Sequence, residues 1–333
     1  MVCLAAVFAA LALTVPLGAQ TTAGATKDSA LFQRGREFRI DGAFQRIWLG
    51  KFLVHVDDPE SRSPTFDLTD HDGHTERVPF ELPDTAYIQG LRYSAGTDGS
   101  IVAIGTALKG KSSGACFIAW ISPDRKRQTV IQAYPFVPEA VAVAADGAIW
   151  SVGTLFDDDK MKTIADNVIR RYDTSGKLLS SLTVGGLRAP AGWGHDATMG
   201  SGLLASRDRI GWFTSGDQYL EFSLEGREIQ RFEGPPAWGA PGRDPSLNYW
   251  VVGFALSSEN QVVVTGVTKD EKSERMAVLN RTARAWYPAL LNGGDPSERH
   301  RLVGFDGVEM ITEGADLHTF VRWTTSAGPS AAQ

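Results

Sequence analysis

Residues 140–155 read Ala-Val-Ala-Val-Ala-Ala-Asp-Gly-Ala-Ile-Trp-Ser-Val-Gly-Thr-Leu. Small apolar residues lead in, Asp146-Gly147 marks a reversal, and Ile149, Trp150 and Val152 lead out. Asp-Gly between two β-patterned runs is a strong hairpin signal, because Gly supplies the positive φ that a type I′ turn needs. The stretch predicts two short antiparallel strands.

Counterparts recur at 95–105, 205–213, 257–266 and 303–311. With Asp98, Asp146, Asp208, Asn260 and Asp306 aligned, the spacings are 48, 62, 52 and 46 residues. Asp, Asn and Gly tolerate the left-handed region, which suits them to such turns. A second turn follows each hairpin, as at Asp70-His71-Asp72-Gly73, Ser122-Pro123-Asp124, Asp173-Thr174-Ser175-Gly176, Glu225-Gly226 and Asn280. Alternating runs such as 177–182 and 227–232 come next. Four short strands per 40–50 residues, a, b, c and d, make a propeller blade. The last unit ends in a Gly/Pro/Ser/Ala tail without a fourth strand. Gly35-Arg36-Glu37-Phe38 matches Gly226-Arg227-Glu228-Ile229 in pattern, so an N-terminal strand is expected to complete that blade and remove two exposed edges.

The predicted fold is all-β: a six-bladed β-propeller with four antiparallel strands per blade, its ring closed by the N-terminal strand. Blades are expected at about 43–83, 84–135, 136–187, 190–234, 246–291, and 297–325 plus 34–41. A β-sandwich or two smaller β domains would not give a regular repeat without a linker. The propeller is thus one domain over 34–325, with 20–33 and 326–333 expected as a disordered linker and tail.

Residues 2–19 are almost wholly apolar, ending Pro16-Leu17-Gly18-Ala19, and the first charge is Lys27. An apolar core followed by a helix breaker and small residues predicts a signal peptide over 1–19, hence export to the periplasm or beyond. The run is short for a bilayer anchor of about 20 residues and lacks a basic flank. Removing it takes Cys3 away and leaves Cys116, so a disulfide within one chain is excluded. Cys116 opens the run Cys-Phe-Ile-Ala-Trp-Ile and reads as a small buried hydrophobe. The net charge of -6, with one dense basic run at Arg125-Lys126-Arg127, argues against a nucleic-acid partner.

In this topology the a–b and c–d turns leave on one face and the b–c and d–a connections on the other. The long connections fall on the second face, and loops on a rigid scaffold commonly carry binding. Two of them, 186–199 and 233–249, break the repeat. Trp193, His195, Asp196, Trp238, Arg243, Tyr249 and His300 are therefore the candidate ligand-binding residues around the channel, aromatic faces with a few polar groups. Asp157-Asp158-Asp159 could offer oxygens to Ca²⁺, but Lys160 and Lys162 follow and a solvated charge run is expected. Asp70-His71-Asp72-Gly73-His74 fails the calcium-loop pattern, with Leu68 and Pro79 at positions that need acids, and reads as a c–d turn. Asn280-Arg281-Thr282 fits the glycosylation pattern. Phosphate-loop, zincin and nucleophile-elbow motifs are absent.

The unit Ala-Asp-Gly-Ala-Ile-Trp-Ser-Val-Gly resembles repeats of the NHL-like and streptogramin-lyase-like (TolB-like) six-bladed propellers, closely over 141–153 and loosely along the mature chain. The resemblance implies a binding module, sensor, or metal-dependent lyase or lactonase. A binding module for a small molecule or protein is the leading expectation, as a monomer without cofactor, metal site or catalytic residues. The alternative is a metal-assisted lyase or lactonase with His195 or His300 as acid/base and a divalent ion near the channel.

Overall fold

The computed structural model describes residues 29–40, 47–109, 114–157, 159–160, 162–187, 202–214, 218–235, 250–267, 274–294 and 300–325. Among these every regular element is a strand, and no helix is long and apolar enough to cross a membrane. The signal peptide and tail predicted at the two ends lie outside them.

The chain opens with β1 (Ala30–Arg39), then repeats a four-strand meander. Unit one is β2 (Ile47–Leu49), β3 (Phe52–Asp57), β4 (Thr65–Thr69) and β5 (Thr75–Pro79). Unit two is β6 (Tyr87–Ala95), β7 (Ile101–Leu108), β8 (Gly114–Ile121) and β9 (Gln128–Gln132). Unit three is β10 (Phe136–Val143), β11 (Ile149–Asp157), β12 (Lys162–Tyr172) and β13 (Leu178–Thr183). Unit four is β14 (Leu203–Ala205), β15 (Arg209–Phe213), β16 (Gln218–Ser223) and β17 (Glu228–Glu233). Unit five is β18 (Trp250–Leu256), β19 (Val262–Val267), β20 (Glu274–Asn280) and β21 (Ala285–Asn292). The last three strands are β22 (His300–Asp306), β23 (Glu309–Gly314) and β24 (Thr319–Thr325). Repeated four-stranded antiparallel units without helices are the construction of a β-propeller.

β1 pairs antiparallel with β24, Phe38 opposite Phe320, and so supplies the fourth strand of the last unit. It also runs parallel to β21, from Ala30 opposite Ala289 to Gln33 opposite Asn292. The segment expected as linker over 20–33 is therefore strand from Ala30 onward. The reason is burial: Phe32 is wholly enclosed among Ala255, Val263, Leu302 and Trp323.

The opening hairpin has the expected strands, Val143 opposite Ile149, but a different turn. The Gly147 N–H donates to the Ala144 carbonyl (2.9 Å) and the Ala144 N–H to the Ala148 carbonyl (2.9 Å), and Gly147 takes φ of 82° while Asp146 stays at negative φ. This is a type I turn closed by one left-handed glycine, a three-residue loop in place of the expected type I′. Asp146 uses its carboxylate to accept the Ala148 N–H (3.0 Å). Gly96–Ser100 and Ser257–Gln261 repeat the pattern, with Gly99 (91°) and Asn260 (68°) in the left-handed seat. Asn260 thus matches Gly147, and the alignment of Asn260 with Asp146 is corrected by one residue.

Side-chain alternation explains the core. Successive strand residues face opposite sides of the sheet, so Ile101 and Ala103 pack toward unit one while Val102 and Ile104 pack toward unit three. Trp150, fully buried, lies with Phe222 and Trp212 between units three and four. Six apolar clusters separate successive units, and the last joins Val303, Ile311 and Phe320 to Trp48 and Leu53 of unit one.

Truncating Phe32 to Ala should cost about 3–5 kcal/mol, the usual penalty for emptying a buried aromatic site, read from urea unfolding followed by fluorescence. A loss below about 1 kcal/mol would mean that β1 is not part of the core.

Candidate functional site

The inner strand of every unit ends at one cavity of about 290 Å³. Its wall takes Ile47–Gly50 from β2, Ser94 and Ala95 from β6, Val143 from β10, Leu204 and Ala205 from β14, Phe254–Leu256 from β18, and Val303–Phe305 from β22. The mouth is formed by the a–b turns, through Thr97, Ala145, Ser206, Arg207, Ser258 and Gly307. Small residues let the inner strands converge. A Cβ at Gly304 would stand 2.4 Å from the Trp48 carbonyl oxygen, at the one pairing between β22 and β2. Among the described residues the lining is apolar and hydroxylic, with Arg207 its single charged residue.

Arg207 sits with Asp208 in the two-residue turn between β14 and β15, closed by the Ser206 N–H donating to the Arg209 carbonyl (2.9 Å). It is exposed, and no described residue bonds to its guanidinium. Its neighbours are tied down. Asp208 accepts from Arg209 Nε (3.3 Å) and Asn260 Nδ2 (2.9 Å), and these donors, with Arg209 foremost, hold its carboxyl below the ordinary range. Ser206 Oγ donates to Asn260 Oδ1, locking the turns of units four and five together. Beneath them Glu221 is fully buried on β16 and accepts from Arg209 Nη1 (2.8 Å) and Arg281 Nε (2.9 Å). Burial first, and then the Glu221 charge, push the Tyr219 phenol upward. One buried carboxylate thereby joins units four and five.

Of the residues predicted for a ligand cup, Trp193, His195, Asp196, Trp238, Arg243 and Tyr249 lie outside the described residues, so His300 alone can be placed. It is buried at the start of β22, edge-on to Trp323 (centroids 5.1 Å), and is not part of the cavity wall. Thr312 Oγ1 accepts from Trp323 Nε1 (2.8 Å) and shares a hydrogen bond with His300 Nδ1 (3.3 Å).

Asp70 forms the expected turn between β4 and β5, accepting the N–H groups of Asp72 and His74 (2.9 Å each). Asp70, Asp72 and His74 bring possible ligand atoms within 4.8 Å of one another, an exposed grouping that the turn itself accounts for. Asp157 pairs with Lys160 (3.1 Å); Asp158 lies outside the described residues. Asn280 spends its side-chain oxygen on the Ala283 N–H (2.9 Å), closing the turn that aims Arg281 at Glu221. Cys116 is half-buried rather than enclosed. It lines a second, apolar cavity of about 320 Å³ with Leu82, Ala107, Phe117 and Val130, because its strand β8 faces open space beside β9. Neutral hub residues drew no attention in the sequence. The available signal was positional: each directly precedes or forms an a–b turn.

No family model matches the chain, and no curated protein does. Among solved structures, BBS1N in complex with ARL6DN, from a crystal soaked with mercury, aligns at 9% identity and a TM-score of 0.42, over 90% of this chain and 98% of that one. The same complex soaked with lead aligns at 9% identity and a TM-score of 0.37, with the same coverage.

Replacing Glu221 with Gln should cost about 3 kcal/mol, because two guanidinium groups lose a buried counter-charge. Denaturant unfolding measures it. A cost within 0.5 kcal/mol of zero would show that the joint between units four and five does not depend on this carboxylate.

Proposed function

We propose that the chain is a six-bladed propeller whose ring is closed by β1, and that it acts as an exported, monomeric binding module. The observation that carries the binding reading is the hub cavity, walled by the inner strands of all the units and, among the described residues, lined by Arg207 as its only charge. A buffered set of acid and base groups is what general catalysis would need at such a site. The described lining offers none: it contains no His, Asp, Glu, Lys or Cys. An apolar, concave, largely preformed wall suits a small molecule or a single inserted side chain of a protein. On this reading the ligand sits at the turn end of the inner strands; most of the connections 186–199 and 233–249 lie outside the described residues. Membership of the NHL-like and streptogramin-lyase-like group rests on 141–153, and the function argued here does not depend on it.

Ala145 is exposed at the mouth and provides the test. In a thermal-shift screen of small aromatic and aliphatic compounds, hits on the natural chain should disappear in Ala145→Trp, which fills the opening while leaving the core intact. Hits that persist undiminished would move the site elsewhere.

Export rests on the apolar run over 2–19. Expressed with its leader in a bacterial host with a periplasm, the chain should be recovered there with an N-terminus near Gln20. An intact Met1 in the cytosol would overturn the assignment.

A further inference from the structure

Resting on the hub reading, we infer that the ligand combines an apolar body with one carboxylate, and that Arg207 receives the carboxylate. Five carboxylates sit on or beside the a–b turns among the described residues, and four of them are committed. Asp98 accepts the Ser100 N–H and hydroxyl (2.9 and 2.7 Å). Asp146 accepts the Ala148 N–H (3.0 Å) and lies 3.8 Å from Arg171. Asp208 is held by Arg209 and Asn260, and Asp306 by Arg322 (2.7 Å). Glu259 is exposed on its turn and is not part of the cavity lining.

Arg207 does line the cavity, and it has no such commitment among the described residues. The adjacent Asp208, which would ordinarily neutralise it, is turned toward Arg209 and Asn260 instead. An apolar recess with one uncompensated guanidinium at its lip selects a matching amphiphile. The apolar body fills the wall of Leu204, Phe254, Leu256 and Phe305, while the planar fork takes two carboxylate oxygens at once. A cavity of about 290 Å³ is at the small end for ligand sites, so it accepts a fragment-sized acid or the last residue of a peptide, not a long chain. Both sources present the same chemistry, an apolar group bearing a terminal carboxylate.

The experiment compares 3-phenylpropionate with 3-phenylpropanamide, and a short peptide ending in Phe with its C-terminal amide, by calorimetry at low salt. Each runs on the natural chain, Arg207→Gln, Arg207→Lys and Ala145→Trp. Arg207 is exposed and holds no neighbour, so these variants should keep the thermal midpoint of the natural chain. The expected result is at least tenfold tighter binding of acid than amide on the natural chain. That preference should fall to within twofold in Arg207→Gln, be partly restored in Arg207→Lys, and give way to no binding in Ala145→Trp. Whichever acid shows it, free or peptide-borne, identifies the source. An acid preference that survives Arg207→Gln overturns the role of Arg207. Equal binding of acid and amide, blocked by Ala145→Trp, overturns the carboxylate while leaving the hub reading in place. Absence of binding by every probe at millimolar concentration overturns the hub reading, and this inference with it.

Discussion

The two-residue period of a β-strand governs this molecule. A sheet of four short strands cannot hide both faces by itself, and here both faces are apolar. Ile101 and Ala103 need one neighbour, Val102 and Ile104 another. Each unit is therefore obliged to have a unit on either side, and Trp48, Leu53 and Phe320 extend the same obligation from the last unit to the first. A linear stack would leave two apolar faces in water at about 25 cal/mol per Å². β1 obeys the same demand: it pairs with β24 and β21 and buries Phe32 between unit five and the last strands.

The hub follows from that packing. Outer strands can be exposed and charged, as Glu76-Arg77 on β5 and Glu228 on β17 are. Inner strands have no such freedom, because they converge. They carry apolar and hydroxyl side chains where they meet, and Gly304 tolerates a carbonyl where any side chain would collide. A chemically quiet cavity is the natural product. Polar features collect one step outward, in the turns, where Arg209, Glu221, Arg281, Asp208 and Asn260 tie units four and five together. The buried carboxylate is costly to desolvate and is offset by two arginines; its role is to hold geometry, since a buried pair gains little net stability.

This division explains what could be read in advance. The strands, the four-strand unit and the N-terminal contribution to the last sheet were visible, because alternation and turn residues are local signals. The turn class was not: Asp-Gly fits both a type I′ turn and a type I turn with a left-handed glycine, and only the hydrogen bonds of Ala144 and Gly147 separate them. Asn260 misled for a related reason. It is chemically like Asp but occupies glycine's seat at φ of 68°, since both Asn and Gly accept the left-handed region. The start of β1 was missed because Ala30–Gln33 carries no alternation of its own and is ordered by a parallel partner far along the chain, Ala289–Asn292. For the candidate site, conspicuous aromatics and histidines drew the eye to long loops. His300 turned out to be packed against Trp323 and Thr312.

Departures from the repeat carry more information than the repeat does. A turn in units two, three and five is three residues long with a glycine or asparagine at its end, and its side chains serve the turn itself. In unit four the connection shrinks to Arg207-Asp208. The shortened loop has no left-handed residue to stabilise, and its acid is drawn off by Arg209 and Asn260, so its remaining side chain is released from structural duty. Many sequences satisfy alternation and turn geometry, which is why the architecture can be legible where kinship is not. A guanidinium uncommitted among the described residues, at the lip of an otherwise neutral lining, is not required by alternation, by turns or by packing. What the fold does not require of a residue is the part of the chain most open to being shaped by a ligand.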